Sequence, residues 1–212
     1  MPRKIIPCSK IHPYHVSARC HNREWFNIPL EDVWKIFENY LFFIHHSFKI
    51  EILSFVLMSN HFHLLLKAPE GNLSEAMRYF LGETSRQIGR SANRINQTYG
   101  TRFSRSLIHS HHYYLCAYKY VYRNPVKAEI CERVEEYRYS SLAILLGQRK
   151  SVLPLSEDLT LFSDFEGTMK WLNTKEEDAN YRDVKKALRK SEFDFTPNRN
   201  TGSPHPLTQI LY

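Results

Sequence analysis

No two of the four cysteines stand in a CxxC spacing. Cys8, Cys20, Cys116 and Cys131 are scattered along the 212 residues, so neither a zinc knuckle nor a disulfide framework is indicated, and reduced structural thiols are expected. Long apolar runs are missing too. Tyr40-Leu41-Phe42-Phe43-Ile44 and Leu64-Leu65-Leu66 fall far short of the roughly 20 residues a membrane span needs, which leads to the expectation of a soluble protein. The start, Met1 to Pro7, is basic but lacks the apolar stretch and small-residue cleavage site of a secretory signal, leaving the cytoplasm as the expected location. There is no internal repeat and no long low-complexity tract. Acid is in deficit: 22 Asp and Glu face 29 Lys and Arg, and the net charge of +7 favours a polyanionic partner such as nucleic acid.

What is present is a folded composition, 42% hydrophobic and 14% aromatic. The length suits one principal domain, residues 1–147, with an appended helical segment, residues 148–212, that ends in a flexible Pro/Asn/Gly-rich tail. Tyr14 to Ala18 reads as a strand, and Val33, Ile36, Phe37, Tyr40, Leu41 and Ile44 recur at helical spacing between Pro29 and Phe48. Two β-rich runs, Glu51 to Met58 and His61 to Ala68, flank Ser59-Asn60 as a tight hairpin. Asn72 with Glu75 resembles a capping box opening a second helix through Ile88. Leu107 to His109 forms a short strand, and His111 to Arg123 returns to helical period. The order βαββαβ plus a helix predicts an α+β, ferredoxin-like antiparallel sheet with helices on one face. Beyond Gly147, Asp164 to Lys190 reads as helical, with Trp171, Leu172, Tyr181, Val184 and Leu188 suggesting a helical pair.

Two segments carry chemistry. In Asn60-His61-Phe62-His63-Leu64, strand alternation puts His61 and His63 on one face, about 7 Å apart, where two imidazoles can converge on a cation. The plainer alternative is a pair of half-buried histidines on a sheet. In His111 to Pro125, Tyr114, Leu115, Tyr118, Val121 and Tyr122 form one apolar stripe, and Tyr120 lies nearly opposite it, one turn before Asn124. A phenol with its pKa near 10 attacks at neutral pH only if activated, or if its target is polarised. Asn124 precedes Pro125 and is equally suited to cap a new helix over Pro125 to Arg133.

Together these segments resemble the single-tyrosine HUH transposases, in particular the REP-associated tyrosine transposases. The resemblance rests on the HxH before aliphatics, on Tyr120-x-x-x-Asn124-Pro125-Val126-Lys127-Ala128, on Tyr137-Arg138-Tyr139-Ser140-Ser141, on the opening Tyr14 to Arg19 with Arg23 and Phe26, and on Arg102-Phe103. It spans about Tyr14 to Leu142. The turn Met58-Ser59-Asn60 departs from relatives that often carry Pro before the Asn. The resemblance implies a domain that recognises a hairpin in single-stranded DNA and cuts beside it. His61, His63 and Asn124 would then hold Mg2+ or Mn2+, and Tyr120 would form a 5′-phosphotyrosine and release a 3′-hydroxyl. Imidazole ligands lean towards Mn2+.

Arg78, Arg86, Arg90, Arg94, Arg102 and Arg105 cluster against Glu83 alone and are candidate phosphate contacts; a solvated helix face is the competing reading. Arg19, Arg23 and Arg123 flank the site and join the candidates, whereas His109, His111 and His112 share no face and read as surface or phosphate contacts. A monomer and a homodimer are both compatible. Two other functions stay open: a hairpin-binding protein without turnover, and a metal-dependent hydrolase that uses water.

Overall fold

The computed structural model describes residues 8–95, 97–197 and 203–208; the basic start and part of the Pro/Asn/Gly-rich tail lie outside them. Four strands, β1 (Tyr14–Arg19), β2 (Glu51–Leu57), β3 (His61–Lys67) and β4 (Ser104–Leu107), pair antiparallel in the order β2-β3-β1-β4. This is the ferredoxin-like order. The last strand falls earlier than expected, at Ser104–Leu107 instead of Leu107–His109. Alternation along the sequence divides the sheet into two faces. Tyr14, Val16 and Ala18 of β1 join Phe62, Leu64 and Leu66 of β3 on one side, while His15, Ser17, Arg19, His61 and His63 fall on the other.

The first face is covered by α1 (Leu30–Phe48) and α2 (Leu73–Ser91), as expected. Trp34, Phe37 and Leu41 of α1 and Met77 and Phe80 of α2 are fully buried against it. Lys49 ends α1 in a left-handed conformation (φ 56°), its amide returning to the Ile44 carbonyl. Asn72 occupies the N-cap of α2 but does not cap it with its side chain: Nδ2 donates to Phe48 O at 3.0 Å, tying the two helices together instead.

The second face receives α3 (His111–Lys127), so the helices lie on both sides of the sheet, one more layer than the βαββαβ core alone provides. Ser110 caps α3 by accepting from Tyr113 N. The new helix expected from Pro125 is not formed. Pro125 is inside α3, which ends two residues later at Lys127. Asn124 Nδ2 donates to Tyr120 O at 2.7 Å, so this side chain bonds back into its own helix and opens no second one.

A short α4 (Ser141–Leu145) closes the principal domain, and the extension supplies α5 (Leu159–Ser163), α6 (Phe165–Asn173) and α7 (Asp178–Ala187) to that layer. Its Leu161, Leu172, Tyr181, Val184 and Phe193 share one apolar cluster with Tyr118, Val121 and Tyr122 of α3. Residues 191–193 return to β4, with Phe193 N bonded to Leu107 O at 2.7 Å, which covers an otherwise open sheet edge. Polar ties reinforce the packing. Lys119, almost fully buried, pairs with Glu176 at 3.3 Å, and Tyr118 donates to Asp158 at 2.7 Å.

Asp158 also caps α5 by accepting from Leu161 N at 2.9 Å. Asp158→Ala removes a cap and strands a buried hydroxyl, so a loss of about 2–4 kcal/mol is expected in urea unfolding. A loss under about 0.5 kcal/mol, typical of a neutral surface change, would show that this junction is not structural.

Candidate active site

His61 and His63 leave β3 on the face that α3 covers, as the alternation predicted, with ring centroids 5.0 Å apart. The turn that aims them is held on both sides. Asn60 Nδ2 donates to Arg23 O at 2.8 Å, and its Oδ1 accepts from His61 Nδ1 at 2.7 Å. That bond fixes the His61 tautomer and leaves Nε2 as the atom with a free lone pair. His63 is bonded through Nδ1 to His15 Nε2 at 2.9 Å, and the two rings stack at 5.1 Å. An acceptor behind the His61 ring and a ring-nitrogen partner behind the His63 ring are the kind of support that orients metal-binding imidazoles.

Burial keeps these rings neutral. It lowers His61 to about 3, with the Arg19 and Lys185 charges adding to the effect, and takes His63 well below its ordinary value. His15, 2% exposed, is lowered to about 3 by burial alone. The unfolded chain therefore takes up a proton at His15 as pH falls below 6.5, and the folded chain does not until about 3. Stability is fully present above 6.5 and drains below it; at pH 5 the loss from His15 is on the order of 2 kcal/mol. Urea unfolding at pH 7 and pH 5 is expected to show this difference and His15→Gln to shrink it. An unchanged difference in His15→Gln would remove His15 as its source.

Tyr120 faces the histidines from α3. Its ring centroid lies 5.4 Å from His63 and 6.2 Å from His15, edge-on to both. It is only 5% exposed, because Tyr181 of α7 stacks on it at 5.0 Å. Burial raises the phenol above its ordinary pKa, while hydrogen bonds from Tyr181 and Asn124 and the charges of Arg189 and Arg19 act in the opposite direction. Asn124 belongs to the same network, accepting from the Tyr181 hydroxyl at 3.3 Å. Histidines and tyrosine line a cavity of about 360 Å³, walled on its other side by Arg19, Arg102, Lys185 and Arg189.

Among the described residues no group of three or more His, Cys, Asp or Glu side chains could hold a metal ion. His61 and His63 offer the cavity two neutral nitrogen donors, which suit a divalent cation that also takes water and phosphate oxygens. The two imidazoles thus fit the implied metal, whereas Asn124 is not among the residues lining the cavity: its oxygen accepts from Tyr181 and its amide bonds back into its own helix.

The arginines divide. Arg78, Arg102 and Arg105 line a larger groove, about 1010 Å³, that shares Arg102 and Arg189 with the histidine cavity. Arg105 also donates to Ser74 at 2.9 Å. Arg86, Arg90 and Arg94 border a separate hollow; Arg86 is paired to Glu83 at 2.5 Å and Arg94 to Glu24, leaving Arg90 the one without an acidic partner among the described residues. Arg23 sits beside the hairpin turn with φ 60°. Arg123 is a correction: 8% exposed, it donates to Leu172 O at 2.8 Å and fastens α6 to α3, so it faces no DNA. Sequence reasoning missed His15, Tyr181, Lys185 and Arg189. The polar half of β1, His15-x-Ser17-x-Arg19, carried a signal for the first; nothing announced that α7 would close the cavity.

A ferredoxin-like sheet with paired strand histidines set against a helix tyrosine is the arrangement expected of the single-tyrosine class. Residues 8–135 match the family described as Transposase IS200 like, and the chain belongs to that family. A solved REP-associated tyrosine transposase bound to a REP hairpin has the same fold, with a TM-score of 0.58 at 18% identity over 77% of this chain and 96% of that one. No curated protein matches the sequence.

Proposed function

We propose that the protein is a metal-dependent enzyme that cleaves and rejoins single-stranded DNA beside a hairpin. Residues 1–147 are the catalytic domain and 148–212 its cap. The observation that carries this reading is the placement of Tyr120 5.4 Å from His63 in a cavity lined by four cations. Membership of the transposase family and the hairpin bound by the structural relative support it.

In this reaction the Tyr120 oxygen attacks the phosphorus of a phosphodiester. A Tyr–O–P bond forms, the P–O3′ bond breaks, and the phenol proton is lost as the departing 3′-oxygen gains one. One ester replaces another, so the step is close to thermoneutral and the 3′-hydroxyl of another strand can reverse it. His61, His63 and Asn124 would hold Mg2+ or Mn2+, which when bound would polarise the phosphate and orient it for attack. The chain's own groups do the rest: Tyr181 restrains the Tyr120 ring by stacking, Asn60 and His15 set the imidazoles, and burial keeps both histidines free of protons at neutral pH. Arg78, Arg102 and Arg105 lead the strand in along the adjoining groove.

Incubation with Mn2+ and a hairpin-bearing oligonucleotide is expected to give an adduct that survives denaturing electrophoresis and is lost with chelator. A second reading, hairpin binding without turnover, is favoured by the 5% exposure of Tyr120 beneath Tyr181. Binding with no adduct in metal would select it.

A further inference from the structure

Beside Arg102, four further cations gather at the histidine cavity: Arg19, Lys185 and Arg189 line it, and Arg23 is near enough for its charge to act on two of them. Arg19 is the last residue of β1, and Arg23 follows in the loop beside the hairpin turn. Lys185 is on α7, and Arg189 stands one residue past its C-cap, so the two are four positions apart on one side of that helix. Lys185, Arg189 and Arg19 line the cavity together with His61, His63 and Tyr120.

None of the four has a carboxylate partner among the described residues. They repel one another. Burial acts first against the protonated forms of Arg19 and Lys185; the charges of Arg23 and Arg189 add to it at Arg19, and those of Arg189, Arg19 and Arg23 at Lys185. Several other basic groups are ion-paired: Lys186 pairs with Asp183 at 3.1 Å, Lys127 with Asp178, and Arg94 with Glu24. An uncompensated group of like charges around a cavity costs free energy unless an anion enters. The anion must reach the Tyr120 hydroxyl and both imidazoles.

We infer that Lys185 and Arg189, from the C-terminal extension, form with Arg19 a clasp for a DNA backbone phosphate in the Tyr120 cavity, so that the extension supplies half of the phosphate-binding wall. This deepens the strand-cleavage reading and rests on it for the identity of the anion. Two of the three clasp residues, Lys185 and Arg189, lie outside the residues matched by the family, 8–135, which include only Arg19. Arg189 also borders the larger arginine groove, so the phosphate path continues from one cavity into the other.

The full-length protein is titrated with a fluorescein-labelled hairpin bearing a randomised single-stranded flank, and with the same hairpin without the flank, over a range of salt concentrations. Each of Lys185→Gln and Arg189→Gln is expected to make the log–log salt dependence for the flanked DNA shallower by about 0.7, the value for one single-strand phosphate contact. The flankless hairpin is expected to bind unchanged, and Lys186→Gln, which removes an ion-paired charge on the same helix, to match the wild type with both. Unaltered slopes in Lys185→Gln and Arg189→Gln, an equal change in Lys186→Gln, or tighter binding on losing either charge would overturn the clasp. Adduct formation is followed in parallel with Mn2+. The expected slope changes in the two variants, with no adduct formed by the wild type, would overturn strand cleavage and leave the clasp standing. Adduct formation with unaltered slopes would do the reverse.

Discussion

Tyr120→Phe is expected to reduce the covalent adduct by at least about 10^4-fold, the scale on which removal of a nucleophile acts. The substitution deletes one oxygen and keeps the ring that packs between His63 and Tyr181, so the fold should be untouched. Hairpin binding is expected to stay at the wild-type level. The experiment separates the readings. A Tyr120→Phe protein that still cuts, while His61→Ala does not, would point to water as the nucleophile. The other tyrosines of α3 are poor substitutes. Tyr118 and Tyr122 are sealed in the core, one bonded to Asp158 and the other to Ser141, and both are pushed far above the ordinary phenol range by burial.

His63→Ala is the second large effect. Removing one of the two imidazoles proposed to hold the metal would forfeit its polarisation of the phosphate, worth several kcal/mol, so adduct formation should fall by at least about 10^3-fold. Excess Mn2+ should recover part of this loss if the weakened site still binds, and none in Tyr120→Phe. The contrast matters because His63 is buried, and its loss also leaves His15 without a partner. Thermal unfolding without metal measures that structural share. If the whole activity loss followed unfolding, the metal role of His63 would fail.

The parts of the site that share one strand or one helix were legible in the sequence, because periodicity assigns faces within an element. His61 and His63 were placed together by strand alternation, and Tyr120 was separated from Tyr114, Tyr118 and Tyr122 by helical spacing. The ferredoxin-like order followed from the succession of elements. Contacts between distant elements were not legible. His15 meets His63 because β1 pairs with β3 in a register that sets Ser17 opposite His63, which no local pattern fixes. Tyr181, Lys185 and Arg189 depend on the docking of α7, whose apolar stripe showed that it packs but not where. Arg123 illustrates the converse: a charge flanking the motif is a candidate DNA contact in the sequence, yet the extension buries it and gives it the Leu172 carbonyl. Asn124 was open between a cap and a ligand. The cap is excluded, since α3 runs through it, and its oxygen is directed to the same tyrosine network as Tyr120.

The most direct measurement is the mass of the modified residue. After reaction with Mn2+ and a hairpin oligonucleotide, digestion with nuclease and trypsin releases the peptide Tyr120-Val121-Tyr122-Arg123, bounded by Lys119 and Arg123. Fragmentation distinguishes its two tyrosines. The account predicts a 5′-nucleoside phosphate on Tyr120 and none on Tyr122. A nucleotide on any other residue, or cleaved DNA with unmodified Tyr120 at the earliest times of a single turnover, would contradict it.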